Sequence, residues 1–140
     1  MTRDGPSKAV AGEFGDGRLQ LARAFLKAAR NEAELAAESD IGNPIISQAV
    51  MSAIAYADAL TAKFVGRVNQ QEHSGAVRAL RAALGKRLPG EQERRLGRIL
   101  GEKDAVQYSP RAKRKSEALR ILADLERFAA WAELEVTRMR

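Results

Sequence analysis

Six apolar residues, Ile46, Val50, Ala53, Ala57, Leu60 and Phe64, recur at spacings of 4, 3, 4, 3 and 4. A helix returns to one face every three or four residues and a strand every two, so this alternation draws a single helical stripe. It is the seam of an antiparallel helical bundle. The small residues Ala53, Ala55, Ala57 and Ala59 let a neighbouring helix come close. Asn43 and Pro44 open the segment: Asn can cap a helix, and Pro fits a first turn, where no amide is needed. The spacing predicts a helix from about Pro44 to Arg67.

The rest of the chain keeps the helical period, with frequent Ala, few β-branched residues and no segment alternating every second residue. A first helix is predicted from Gly17 to Ser39, with Ala22, Phe25, Leu26, Ala29, Ala33 and Ala36 on one stripe. After the polar stretch 69–72, a third helix from about His73 to Lys86 turns Val77, Leu80 and Leu84 inward. Leu88-Pro89-Gly90 breaks the chain before a shorter helix, about Glu91 to Tyr108, with Leu96, Ile99, Leu100 and Val106 apolar. Ser109 and Pro110 then supply the cap and first turn of a last helix to about Arg138, with Ala118, Ile121, Leu125, Phe128, Ala132 and Val136 inside. The expected fold is all-α: an up-and-down bundle of four principal helices plus a short additional helix, residues 17–140, after a flexible N-terminal segment, residues 1–16.

At 140 residues the chain can bury a core as one domain without disulfides or metal. It has no Cys, which excludes a disulfide scaffold and any Cys-ligated metal. Met1 to Gly17 lacks the apolar core of a signal peptide, and no apolar run is expected to reach bilayer-crossing length. A soluble, cytosolic protein with no membrane contact follows from that pattern. The net charge is +6, unevenly spread: residues 78–120 hold thirteen Lys/Arg against five acids, a local +8, and the remainder is −2. Solvated helix faces are one reading of such asymmetry, and a polyanionic partner, RNA or an acidic protein, is the other.

Four places could carry chemistry. Asp58 lies inside the apolar stretch 53–60, where a carboxylate is costly unless paired or wet. It either sits at the edge of the seam or pairs with a cation from another helix, Lys103 being the first candidate. His73, the single histidine, follows Arg67 at Arg-x5-His spacing. A metal-free ribonuclease needs such a general acid/base and fixed cation. The two are expected on different helices, Arg67 ending one and His73 starting the next. Lys103, Asp104 and Tyr108 close the fourth helical pattern. Lys103 and Tyr108 are five positions apart and share a face only if the chain bends near Gln107. Arg111, Lys113, Arg114 and Lys115 crowd the expected start of the last helix, where cations oppose the macrodipole, which hints at phosphate contact. There is no Gly-rich phosphate loop and no His/Cys metal spacing, so neither metal nor cofactor is expected.

In order along the chain, four features carry a resemblance. They are the Ala-rich opening helix from Gly17, the Asn43-Pro44 start with its Ala-Ile-Ala-Tyr-Ala-Asp-Ala core at 53–59, a His opening the third helix, and the ending from Lys103 to Tyr108. Together they resemble the HEPN domain family (higher eukaryotes and prokaryotes nucleotide-binding) over about Gly17 to Glu135. The resemblance implies a helical bundle, often a homodimer with two sites at a shared cleft. Toxin members of the family cleave RNA without metal, using Arg-x4-6-His. Here Lys103 stands where that Arg is expected and Tyr108 where the His is, and Lys lacks the bidentate fork of Arg. The resemblance therefore implies the non-catalytic branch. Such a module binds RNA or a nucleotide within a toxin–antitoxin or nucleotidyltransferase-associated system. Asp58, Lys103, Asp104 and Tyr108 would contact the ligand, with Arg111, Lys113, Arg114 and Lys115 extending the surface. The alternatives are a metal-independent ribonuclease using His73 with Arg67 or Lys103, and an interaction protein whose partner is a nucleotidyltransferase or an antitoxin.

Overall fold

The computed structural model describes residues 7–10, 12–69, 73–108 and 111–138, and only the backbone of residues 7, 8, 73, 74, 107 and 108. Among the described residues the chain forms α1 (Gly12–Leu35), α2 (Asn43–Val65), α3 (His73–Leu84), α4 (Gly90–Tyr108) and α5 (Lys115–Arg138), with a 3-10 turn at Gly85–Arg87. Two three-residue strands, β1 (Ser7–Ala9) and β2 (Arg67–Asn69), pair antiparallel with Lys8 opposite Val68. The fold is an all-α bundle. Its short member is α3, of 12 residues, and the fourth helix, expected to be the shorter, has 19.

The seam read from sequence is the centre of the molecule. Ile46, Val50, Ala53, Ala57 and Leu60 are all buried, and α1, α3, α4 and α5 each pack against α2. Small residues set the closest approach. A side chain at Gly15 would lie 2.9 Å from Lys63 Cγ and 3.5 Å from the Ala59 carbonyl oxygen. Ser52 is buried in the same contact and donates its hydroxyl to the Ala22 carbonyl at 2.7 Å. That close fit explains why α1 begins at Gly12 rather than Gly17. Gly12, Gly15 and Gly17 are poor helix formers, and packing on α2 overrides their propensity. By composition an 18-residue window of α2, of mean hydropathy 1.3, is apolar enough to cross a bilayer, contrary to the sequence expectation, and 72% of it is buried inside the bundle.

The bundle has two distinct ends. At the turn end lie the α1–α2 connection, the close of α4 and the start of α5. At the strand end lie β1, β2, α3, the start of α4 and the close of α5. α2 finishes there at Gly66, whose φ of 67° is left-handed and suits glycine alone. Arg67 consequently sits on β2 and not at the end of the helix. Arg81 pins the α3–α4 connection, donating to the Gly85 carbonyl at 2.6 Å and the Leu88 carbonyl at 2.9 Å while pairing with Glu93. The last helix starts at Lys115, five residues after the expected start; Ser109 and Pro110 lie outside the described residues.

Candidate functional site

Residues 111–114, expected to be helical, run instead as an extended strap across the α1–α2 turn. Gly42 donates its N–H to the Lys113 carbonyl at 2.8 Å, and Ile41 and Arg114 form an antiparallel bridge. A side chain at Gly42 would lie 2.6 Å from the Arg114 carbonyl oxygen, so only glycine admits the strap. Asn43 does not cap α2. Gly42 occupies the cap position without a side-chain bond, and Asn43 Oδ1 accepts the Lys113 N–H at 2.9 Å. An extended backbone has amides to satisfy, and Asn43 satisfies one of them.

The strap gathers cations at the turn end. Lys113 Nζ lies 3.7 Å from Glu102 on α4 and 3.7 Å from Glu117 on α5, which brings the close of α4 beside the strap. Glu117 accepts the Arg114 backbone N–H at 3.2 Å, the return half of a capping box. That bond first, and then the Arg114 guanidinium, hold its carboxyl below the usual range. Lys115 donates to the Ala36 carbonyl at 2.7 Å and so caps the C-terminus of α1, where a cation is favoured. This contact accounts for Lys115 at a helix start that should repel it. Lys103 is partly buried one residue beyond Glu102, with no ion-pair partner among the described residues; Asp104 and Arg111 are exposed. Tyr108 is the last residue of α4, and its side chain lies outside the described residues. α4 is helical from Gly90 to Tyr108, so the bend near Gln107 that would align Lys103 with Tyr108 is absent.

Asp58 belongs elsewhere. It pairs with Arg18 of α1 at 2.9 Å, not with Lys103, and α1 and α4 do not touch. Fifteen residues of α2 separate Asp58 from Asn43, about 22 Å along the axis, so it stands apart from the turn-end cations. Burial pushes its carboxyl up to about 6, against the opposing pull of Arg18. Arg67 is exposed on β2 and His73 is the first residue of α3, so no single element holds the pair. The His73 side chain lies outside the described residues.

A polar cluster unforeseen from sequence joins α1, α2 and α5. Arg23 grips Glu133 with two bonds of 2.8 and 2.7 Å, and Arg30 binds Glu126 at 3.0 Å. Tyr56, 1% exposed, donates its hydroxyl to Glu133 at 3.0 Å. Arg23 above all, and then Tyr56, keep the Glu133 carboxyl below its ordinary range; burial and Glu133 push the Tyr56 phenol up. A groove of about 320 Å³ opens between these pairs. Its signal in the sequence was the matched spacing: Arg23 and Arg30, like Glu126 and Glu133, are seven apart, as two antiparallel helices require. Among the described residues no three His, Asp or Glu side chains converge as a metal-holding group. Neither protein-family models nor curated proteins give a match to this chain.

Proposed function

We propose that this protein is a cytosolic, HEPN-like helical module that binds RNA or a nucleotide at its turn end and works as a homodimer, beside a nucleotidyltransferase or an antitoxin. The observation that carries the reading is the strap. Its bridge to Ile41 and the Lys113–Glu102 pair bring residues 111–114 and the close of α4, with Lys103, to one end of the bundle. Lys113, Arg114 and Lys115 are partly committed to Glu102, Glu117 and the end of α1. Lys103 has no such commitment among the described residues and is the cation with most to offer a phosphate; Arg111, exposed on the strap, extends the surface, and Tyr108, at the end of the Lys103 helix, would stack on a base. Asp58 has no part in this site; it holds α1 on α2.

Binding of a labelled single-stranded RNA, titrated against salt with chelator present, tests the reading. Affinity should fall steeply with salt. Replacing Lys103 and Arg111 by Ala should weaken it and flatten the slope by about 0.7 per lost phosphate contact. Binding insensitive to salt and to both substitutions would overturn the site. Cleavage in chelator that is lost in His73→Ala would replace it with the ribonuclease reading.

A further inference from the structure

One long edge of α2 is only partly covered by the rest of the bundle. Pro44, Ser47, Met51, Ile54, Asp58, Thr61 and Val65 follow one another at three- and four-residue steps; Pro44, Met51 and Val65 are exposed, Met51 by 46% and Val65 by 50%, whereas Ser47, Ile54 and Asp58 are half-buried and Thr61 is buried. α1 has a matching edge, Phe14, Arg18, Leu21 and Phe25, on the side away from Arg23 and Arg30, with Phe14 39% and Leu21 43% exposed. The Arg18–Asp58 pair fixes the two edges side by side and at the same height. Toward the strand end the surface sinks into a depression of about 240 Å³ lined by Thr61, Val65, Val68, Ala79, Ala82 and Ala83, with Arg67 and Asn69 at its rim.

We propose that this α1–α2 face is the seat of a second copy of the same chain, related by a two-fold axis parallel to the helices. Such an axis lays the α1 edge of each copy on the α2 edge of the other without changing height. Phe14 then enters the depression beside Thr61 and Val65 of the second copy, Leu21 meets Ile54, and Phe25 meets Met51. Arg18 approaches the second copy's Asp58, so each carboxylate gains a second guanidinium and the four charges alternate in sign around the axis. Every contact occurs twice, as an isologous interface requires. From Phe14 to Leu35 the edge runs about 30 Å, and two helices side by side are about 20 Å wide. The face therefore offers about 600 Å² per copy, and the resulting total of about 1,200 Å² is the lower end of what a specific dimer needs.

The inference rests on the dimer part of the reading above and not on its ligand. Sedimentation of the whole protein at roughly 100 µM, a concentration that populates micromolar dimers, should give twice the 15.3 kDa chain mass. Leu21→Glu with Met51→Glu should give the single mass with an unchanged helical circular dichroism spectrum, since both side chains already meet solvent. The chain has no Cys of its own, so introduced cysteines report the geometry. Mixing Phe14→Cys with Ala82→Cys protein should yield a disulfide-linked pair, whereas Phe14→Cys with Ala130→Cys, on the opposite face, should not. A wild-type protein of single mass, a dimer indifferent to the double Glu variant, or equal cross-linking of both mixtures would each overturn the proposal. Dimer formation without RNA binding would leave this interface standing and remove the ligand; RNA binding by a monomer would do the reverse.

Discussion

At Asp58 burial and an ion pair pull in opposite directions, and burial wins. The carboxyl rises from 3.8 to about 6 although Arg18 stands 2.9 Å away. Its folded value exceeds its unfolded one, so the folded state holds a proton that the unfolded state releases. Stability from this group is present below about pH 4 and is lost as pH rises through about 6. In the Leu21→Glu, Met51→Glu protein, where each Asp58 keeps only its own Arg18, unfolding by urea should show stability falling by about 1 kcal/mol from pH 5 to pH 7, and adding Asp58→Asn should remove that fall. Glu93, Glu117 and Glu133 have lowered values and act with the opposite sign, losing stability only as pH falls below the ordinary carboxylate range. An unchanged slope in the Asp58→Asn protein would show that Asp58 titrates normally. The sequence left Asp58 either at the edge of the seam or paired with a cation from another helix, and the structure has the pair, with Arg18. Lys103, the first candidate, is not the partner, because composition supplies many cations and only topology selects one.

Among the elements, seams were legible and ends were not. The α2 stripe and the buried set of α5, from Ala118 to Val136, were read from spacing alone, because a helical face is a local property of the chain. The boundaries of α1 and α5 depend on partners distant in sequence: Gly15 fits under Lys63, and Arg114 pairs with Ile41. Neither contact leaves a local mark. The strap is the part of the candidate site that could not be foreseen, since residues 111–114 have no helix-breaking residue. Glycines make the same point experimentally. Gly97 and Gly101 in α4 have nothing within 4 Å of a built side chain. Gly97→Ala and Gly101→Ala should each stabilise the protein by about 0.5–1 kcal/mol in thermal or chemical unfolding. Gly42→Ala should instead cost about 2 kcal/mol, because the strap backbone stands in the way. Equal effects at the three positions would mean that the strap yields easily.

For the molecule as a whole, α2 packs against each of the other four helices and so ties their contacts together. Unfolding should accordingly be one cooperative transition, with far-ultraviolet dichroism and Trp131 fluorescence changing together. Two separated transitions would show that α3 and α4 melt apart from the rest. The arrangement of the ends has a practical side. Strand β1 lies on β2, and α5 runs from the strap back to the same pole, where Arg87 reaches Glu135. Ser7 and Arg138 are therefore both near the pole opposite Lys103 and the strap. A tether or a dye attached beside Ala9 or Arg138 grips the molecule by one handle and leaves the cationic pole pointing outward.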